Sequence, residues 1–241
     1  MTSFINKVYK KIKNLNQKRS FIKSYRKVSF SQTGEDIIID FIFTSRGIHN
    51  PTYIDIGAFH PYLYSNTAYF YAKSSKGINI EPNPDGIKLF NKYRSKDINL
   101  NIGISSIEGE LNYFYMNAAT MNTFDSNSAY ELQEKYGFKI IDQKLITCLK
   151  LQDVIFKYSN NKFPDLLSID VEGLDMEILD QVDYIQNYPK VICVETVAYS
   201  HDGTGVKNFQ LIKFLESKGY FVYADTYINT IFINKEFWQN H

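Results

Sequence analysis

Four acidic residues follow short apolar runs that are typical of buried strands. The runs are PTYIDIG, KGINIEP, DLLSID and KVICVET, and the acids are Asp55, Glu81, Asp170 and Glu195. A carboxylate at the end of a core strand is costly unless it has a partner, a ligand or a metal. Because parallel strands bring their carboxyl ends to one edge of a sheet, where ligands bind, we expect these acids to line a single site.

The spacing of Asp55, Gly57 and Glu81 is typical of a nucleotide site in such a sheet. Gly57 would let the backbone approach a ligand, and Glu81, 26 residues after Asp55, would accept hydrogen bonds from ribose hydroxyls. The run DIGAFHP lacks the further glycines that bring a pyrophosphate to a helix N-terminus, which disfavours NAD and FAD. An adenosyl ligand with a positive sulfonium suits the acidic edge better, which predicts S-adenosylmethionine. Taken alone, D-x-G also fits a simple strand-to-turn junction.

A divalent metal site is a further hypothesis. Asp170, Glu195 and His201 end neighbouring strands or begin the loops after them, and two carboxylates with one imidazole can hold a catalytic ion. No tight spacing motif accompanies the set, and His201 also fits an exposed loop residue. His60, in GAFHP, is another candidate ligand or base, or else a packed loop residue.

Strands and helices alternate along the chain and must position these acids. A helix is predicted at SQTGEDIIIDFIFTS, where Thr33 and Asp36 have the spacing of a capping box. Between the third strand (DINLNIGIS) and the fourth lies an insert with one strand-like run, ELNYFYM, a polar loop and a helix at 128–136. YFVYAD and TIFIN close the chain in hairpin order. The pattern predicts an α/β fold: a doubly wound, mostly parallel seven-stranded sheet with an antiparallel edge.

Composition limits the class of protein. The chain has 241 residues, 44% of them hydrophobic and 22% charged, which suits one soluble globular domain. It contains no apolar run of the roughly 18 to 20 residues that span a bilayer, and its start has no apolar core of a secretory signal. Cys148 and Cys193 lie in apolar sequence, which argues against a disulfide framework or a zinc thiolate site and favours the reducing cytoplasm.

The basic residues are concentrated at the N-terminus. Residues 1–34 carry nine Lys or Arg and no acid, whereas the rest of the chain carries 18 bases against 26 acids. Residues 1–28, with Phe4, Val8, Ile12 and Leu15 at helical spacing, are predicted to form a basic amphipathic helical extension. It would pack on the domain, or else attach to an anionic membrane surface, at its inner face, or to a partner. Nucleic acid is disfavoured because no basic groove continues beyond it.

Five motifs occur in the order found in one enzyme family. They are FSQTGEDIII, YIDIGAFHPYLYSNT, GINIEPNPDGIKLF, NIGISS and LLSIDVEGLDMEIL, and with them the sequence resembles the FkbM-type methyltransferases across about residues 29–200. The resemblance implies a class I Rossmann-like methyltransferase domain, here residues 29–241, that depends on S-adenosylmethionine. It also implies O-methylation of a sugar or another hydroxylated small molecule.

The resemblance also assigns cofactor contacts by position. Asp55 and Gly57 would border the methionine moiety, Glu81 would hold the ribose, and the turn from Gly103 to Ser105 would lie near the adenine. Asn66 and Thr67 fit an N-cap pair as well as ligand contacts.

The SQxGED element would close over the cofactor through Gln32 and Glu35. Helix capping and a solvated first turn explain part of that motif without a ligand.

Catalysis is assigned to Asp170 and Glu172, which would leave the fourth strand beside the sulfonium methyl. Methyl transfer to oxygen needs the alcohol aligned and its proton removed. One of the two carboxylates would position or deprotonate the hydroxyl, and the other would support it. Asp170 would also contact the cofactor. Alternatively, Glu172 only sits near the positive N-terminus of the next helix.

Two other functions remain open from the sequence. One is a catalytically silent Rossmann-like binding module that uses the basic, aromatic-rich N-terminus. The other is a nicotinamide-dependent sugar oxidoreductase, which the missing glycines disfavour. The richness in Asn, Ile, Lys and Tyr suggests an AT-rich bacterial genome, where the acceptor would be a nucleotide-linked or surface-polysaccharide sugar. The sequence does not indicate an oligomeric state.

Overall fold

The computed structural model of the chain describes residues 20–201 and 204–240, together with residues 13, 17 and 18. Most of the predicted extension, including its apolar stripe from Phe4 to Leu15, lies outside the described residues. Residues 20–25 are helical and exposed, and residues 26–30 form no regular element. The domain boundary after residue 28 therefore stays a prediction.

The described residues contain ten strands. They are β1 (Tyr53–Ile56), β2 (Gly77–Ile80), β3 (Ile98–Leu100), β4 (Gly103–Ile104), β5 (Gly109–Met116), β6 (Ile140–Leu149), β7 (Leu166–Ile169), β8 (Val191–Glu195), β9 (Tyr220–Asp225) and β10 (Asn229–Asn234).

The helices that follow or connect these strands are mostly short. They are α1 (Glu35–Ser45), α2 (Ala68–Ala72), α3 (Pro84–Tyr93), α4 (Ser126–Tyr136), α5 (Leu151–Tyr158), α6 (Asp175–Asp180), α7 (Phe209–Ser217) and α8 (Lys235–Gln239), with a 3₁₀ turn at Ala119–Met121. In the described part of the chain, no helix combines the length and apolar character that crossing a bilayer would require.

Seven strands form the main sheet in the order β3-β2-β1-β7-β8-β10-β9. The five strands from β3 to β8 pair in parallel, and β10 pairs antiparallel with both β8 and β9. Ile54 and Ile56 belong to a buried cluster on one face, and Tyr53 belongs to a second buried cluster on the other. The prediction of a doubly wound, mostly parallel seven-stranded sheet with an antiparallel edge is confirmed.

The insert between β3 and β7 differs from the prediction because it forms a second sheet. Its strands lie in the order β4-β6-β5, and β6 does not appear in the sequence prediction. Six of the ten residues of β6 are exposed and apolar residues do not alternate along it, so it lacks the period-2 pattern that identifies a half-buried strand. The insert has a small core of its own, formed by Phe114, Met116, Ala129 and Leu132.

The start of α1 also differs from the prediction. The N-cap is Gly34, which has no capping side chain. Ser31 Oγ, three residues earlier, accepts from the backbone N–H of Gly34 at 3.1 Å and of Asp36 at 3.3 Å. Asp36 in turn accepts from Phe30 N at 2.7 Å. The predicted capping box at Thr33 and Asp36 was therefore wrong, because Asp36 accepts from Phe30 N and Ser31 Oγ, and Thr33 N donates to Glu35 instead.

Candidate active site

A cavity of about 570 Å³ opens where the strand order reverses between β1 and β7. The chain moves outward from β1 to β2 and β3, and then returns to β7 on the other side of β1. Such a switch point is where doubly wound sheets bind ligands, and the volume lies within the range of about 300–1,000 Å³ for ligand sites. The structure brings the four strand-end acids together in the lining of this cavity: Asp55, Glu81, Asp170 and Glu195.

Gly57 lies where the ends of β1 and β7 meet most closely. Its φ is +77°, and a Cβ on it would lie 1.9 Å from the backbone oxygen of Asp170. Asp170 N donates to Ile56 O, and Gly57 N donates to Ile80 O, both at 3.0 Å. The predicted need for glycine thus has a structural cause, because no side chain fits between the two strand ends.

Asp55 is buried and connected to a polar network below the cavity. Thr67 donates through Oγ1 to Asp55 Oδ2 at 2.6 Å, and both terminal nitrogens of Arg94 donate to that same Oγ1 at 3.0 Å. Arg94 pairs with Asp97 at 3.0 Å, and both side chains are fully buried. Burial raises the pKa of Asp55, although the bond from Thr67 and the charge of Arg94 oppose the shift. The sequence analysis did not identify this network.

Glu81 is held in place by two backbone groups. Its carboxylate accepts from Phe59 N and from Asn83 N, each at 2.7 Å. Burial raises its pKa to about 7, more than these two bonds lower it. Each carboxylate oxygen can accept a further hydrogen bond, so the side chain is fixed while part of its accepting capacity remains for a ligand.

Asn66 presents a buried amide to the cavity. Its Nδ2 lies 3.4 Å from Ser168 Oγ, and its Oδ1 has no hydrogen-bond partner in the described part of the chain. Leaving such an acceptor unsatisfied costs about 1–3 kcal/mol, so a donor on a bound ligand fits here. Thr67, its neighbour, precedes α2 and is occupied by Asp55 and Arg94.

Three carboxylates meet at the centre of the cavity. One oxygen each of Asp170, Glu172 and Glu195 lies within 4.8 Å of the others. Glu172 has a left-handed backbone (φ +53°) and is followed by Gly173 at φ +115°, which turns the chain sharply after β7. Thr123 Oγ1 secures this turn by donating to the backbone oxygen of Glu172 at 2.9 Å.

The proximity of these groups changes their proton affinity. The side chain of Asp170 is exposed to the cavity, yet the surrounding protein partly desolvates its carboxylate, and this desolvation, with the charges of Asp175 and Asp55, raises its pKa to about 7. Burial and the neighbouring acids also raise the pKa values of Glu172 and Glu195. Three carboxylates within 4.8 Å of one another therefore favour a bound cation or shared protons.

Asp175 is a functional candidate that the sequence analysis missed. It is the first residue of α6, it is buried, and its Oδ1 has no hydrogen-bond partner among the described residues. Burial raises its pKa to about 6 despite bonds from nearby backbone N–H groups. The sequence places it five residues after Asp170, and only the tight turn at Glu172 brings it behind the other acids.

The predicted metal set is only partly brought together. Asp170 and Glu195 are in the cluster, but Glu172 takes the place expected for His201. His201 is exposed and packs against aromatic rings, with its ring 5.4 Å from that of Tyr136 and 5.8 Å from that of Tyr199. Three carboxylates offer hard oxygen ligands, which suit Mg²⁺, Ca²⁺ or Mn²⁺.

The SQxGED residues divide between the cavity and the core. Gln32 lines the cavity. Glu35 is buried beside the last hairpin, where its carboxylate accepts from Thr226 Oγ1 at 2.7 Å and Asn229 Nδ2 at 3.0 Å. Burial alone would raise the pKa of Glu35, but hydrogen bonds from Thr33, Asn229 and Thr226 outweigh it and lower the pKa to about 2. Glu35 does not line the cavity.

The NIGIS turn is divided in the same way. Gly103 lines the cavity, whereas Ser105 lies outside its lining and donates to Glu177 Oε1 at 3.1 Å. The insert then covers the cavity with residues that the sequence analysis did not select, namely Tyr113, Met121, Asn122, Thr123 and Phe124. The alternation in ELNYFYM was the available signal, since it places Tyr113 on one face of β5.

His60 lines the cavity with a defined tautomer. Its Nδ1 accepts from Tyr62 N at 3.2 Å and Leu63 N at 2.9 Å, so the proton of the neutral ring is on Nε2. Burial lowers its pKa, which favours this neutral form. The Nε2–H of His60, a residue of the cavity lining, is therefore available as a donor.

Comparison with known proteins identifies the family. The sequence matches the methyltransferase FkbM domain over residues 55–222, more than half of the chain. The chain belongs to the FkbM methyltransferase family. Together with the strand order, this membership shows a class I, Rossmann-like methyltransferase that depends on S-adenosylmethionine. No curated protein matches the chain significantly.

Solved structures resemble this FkbM-family chain only remotely. A Burkholderia thailandensis 1,6-didemethyltoxoflavin-N1-methyltransferase, solved with its substrate and S-adenosylhomocysteine, is 8% identical, with 84% of this chain and 77% of that chain covered and a TM-score of 0.41. A Staphylococcus aureus protein, provisionally assigned as a caffeoyl-CoA O-methyltransferase, is 11% identical, with 92% and 91% covered and a TM-score of 0.46. At these values the similarity carries no argument about chemistry.

Proposed function

We propose that this FkbM-family protein transfers the methyl group of S-adenosylmethionine to a hydroxyl oxygen of a sugar or a similar small molecule. One observation carries the proposal. The carboxylates of Asp170, Glu172 and Glu195 meet within 4.8 Å in the same cavity that Asp55 and Glu81 line. A cofactor site and a group of candidate bases therefore share one enclosed space.

The residues on the β1–β2 side fit the cofactor. Glu81, fixed by Phe59 N and Asn83 N, accepts the ribose hydroxyls with its remaining lone pairs. The unpartnered Oδ1 of Asn66 accepts from the amino group of the methionine moiety. The sulfonium is positive, so the neighbouring acids stabilise it electrostatically.

The residues at the end of β7 fit the transfer step. The hydroxyl oxygen forms a bond to the methyl carbon as the carbon–sulfur bond breaks, and the alcohol proton passes to a carboxylate. Asp170 is the proposed base, while Glu172 and Glu195 orient the hydroxyl. The electron pair of the broken bond stays on sulfur, so the product cofactor is neutral S-adenosylhomocysteine.

A divalent ion fits the same three carboxylates. Asp170, Glu172 and Glu195 would hold it through one oxygen each, and the ion would lower the pKa of an acceptor hydroxyl. Asp175 lies behind them as a further negative charge.

The lining of the cavity supports an uncharged acceptor group. None of the described residues that line it is Lys or Arg, whereas six are Asp or Glu. A phosphate inside the cavity would have no cationic side chain to pair with, so in a nucleotide-linked or lipid-linked acceptor the phosphates remain outside. A neutral sugar hydroxyl is the group that this cavity best accommodates.

Calorimetry with S-adenosylmethionine, followed by a screen of hydroxylated sugars and nucleotide sugars for S-adenosylhomocysteine release, tests the proposal. Each reaction is run with and without added Mg²⁺ or Mn²⁺. We expect cofactor binding and release of the product with at least one acceptor. The absence of cofactor binding at millimolar ligand would overturn the proposal in favour of the silent binding module, and methylation of nitrogen or carbon alone would overturn the oxygen assignment.

A further inference from the structure

Residues 20–28 form an exposed segment that is apolar as well as basic, called here the N-terminal segment. Its large apolar side chains are exposed: Phe21 by 65%, Tyr25 by 76%, and also Ile22 and Val28. The rings of Phe21 and Tyr25 lie 5.0 Å apart, one helical turn along the segment. They form a continuous apolar surface that no described part of the domain covers.

The sequence that contains this segment carries charge of one sign. Residues 1–34 contain nine Lys or Arg and no acid. Lys27 pairs with Asp40 on α1 at 3.1 Å, which ties the end of the segment to the domain. Lys23 and Arg26 alternate in sequence with the exposed apolar residues, and Arg26 lines a shallow depression together with Phe21 and Tyr25. The segment is therefore complementary to a partner that is both anionic and apolar.

The same segment leads directly to the mouth of the cavity. Ser65 N donates to Phe30 O at 3.1 Å, and the rings of Phe30 and Tyr62 lie 5.7 Å apart. The loop at 59–64 lines the cavity with Phe59, His60 and Tyr64 and also exposes Leu63. The exposed apolar side chains of the N-terminal segment and the exposed Leu63 therefore lie on either side of the contact between Phe30 and Ser65, next to residues that line the cavity.

We propose that the N-terminal segment, together with Leu63, binds the surface of an anionic lipid bilayer and holds the mouth of the cavity close to it. Apolar side chains enter the boundary between headgroups and acyl chains while neighbouring Lys and Arg pair with anionic lipid, and the combination gives firmer attachment than either element alone. This docking does not depend on the reaction that the cavity catalyses.

Sedimentation of the full chain with vesicles tests the proposal. The vesicles are phosphatidylcholine alone, or phosphatidylcholine with phosphatidylglycerol. We expect binding to the anionic vesicles, at least about tenfold weaker binding to the neutral ones, and a further decrease as salt is added. Phe21→Ser with Tyr25→Ser, and separately Lys23→Gln with Arg26→Gln, should each weaken binding about tenfold, and Leu63→Ser should weaken it about threefold.

Matched controls come from the rest of the surface. Phe156 on α5 is exposed by 69% and Lys162 is also exposed, and Phe156→Ser with Lys162→Gln should leave vesicle binding unchanged. Equal binding of the variants and the parent, or no binding to anionic vesicles, would overturn the proposal. Light scattering that shows a dimer lost in the Phe21 and Tyr25 variant would instead assign the surface to a second copy of the chain.

Discussion

The backbone oxygen of Asp170 occupies the space that a side chain on Gly57 would need. A Cβ on Gly57 would lie 1.9 Å from that oxygen, closer than any two such atoms can approach. The ends of β1 and β7 are thus in contact at the point where the strand order reverses. This contact sets the position of the Asp170 carboxylate relative to the cofactor side of the cavity.

Gly57→Ala should disrupt this contact. A non-glycine residue in the left-handed region costs about 1–2 kcal/mol, and the added clash with backbone should bring the loss of unfolding free energy above about 4 kcal/mol. Gly47→Ala is the matched control, because Gly47 has φ +72° but no atom lies within 4 Å of the position that its Cβ would take. Chemical denaturation of both variants gives the comparison. Equal losses at the two positions would mean that the strand ends can separate at little cost.

Glu81→Gln should weaken S-adenosylmethionine binding by at least about tenfold, because charge-assisted hydrogen bonds to the ribose become neutral ones. Glu177→Gln provides the control, since Glu177 also accepts a backbone N–H, from Ser106 at 2.7 Å, but lies outside the cavity. Calorimetric titration measures both. An unchanged dissociation constant in folded Glu81→Gln would contradict the ribose assignment.

Asp170→Asn should lower turnover by roughly 10² to 10⁴, the usual loss for a general base, with a much smaller change in cofactor affinity. Asp180→Asn, an exposed carboxylate at the end of α6, should retain the parent rate. Turnover measured after chelation of divalent ions then distinguishes the role of Asp170 as a general base from its role as a metal ligand. Full activity after exhaustive chelation would exclude the ion, and turnover above about a third of the parent rate in Asp170→Asn would contradict both roles.

Stability should fall as the pH rises toward neutrality. The folded-state pKa values of Asp170 and Glu81 are about 7 and that of Asp175 is about 6, all above their ordinary values. The folded chain therefore binds these protons more tightly than the unfolded chain does. Their contribution to stability is complete below about pH 4 and is lost as the pH rises through about 7.

Thermal unfolding of the ligand-free chain between about pH 5 and about pH 8 tests this dependence. We expect the midpoint to decrease across that range, and Asp170→Asn to flatten the slope and raise the midpoint near neutral pH. Each kcal/mol that the substitution adds to the free energy of unfolding should raise the unfolding midpoint by about 2–4 °C in a chain of this size. A midpoint that rises with pH would show that the acids are paired in the folded state.

The main sheet was predictable because its strands are buried on both faces. Continuous apolar runs such as those at β1 and β8 are fully or nearly fully buried, and burial of this kind leaves an unambiguous pattern. β6 left no such pattern, since most of its side chains face solvent. The second sheet depends on pairing between β5 and β6, which is a property of the folded chain and not of either sequence.

The acids of the candidate site were predictable for a similar reason, because their place at strand ends follows from the fold. The partners of these acids were not. Glu172 joins Asp170 and Glu195 through a left-handed turn. Thr67 connects Asp55 to the buried Arg94, which directly follows α3. His201 was expected in the metal group for its ligand chemistry and its place in the loop after a strand, but its ring packs against aromatic residues instead.

One side of the cavity is covered by a continuous stretch of chain. Tyr113, Met121 and Phe124 all belong to the insert between β3 and β7, which pairs its own strands and packs its own small core. The acids proposed to hold the cofactor, Asp55 and Glu81, lie in or directly after strands of the main sheet. Within one lineage, a recombination event or a few mutations confined to this stretch could therefore change which acceptor is methylated, while the cofactor machinery is inherited intact.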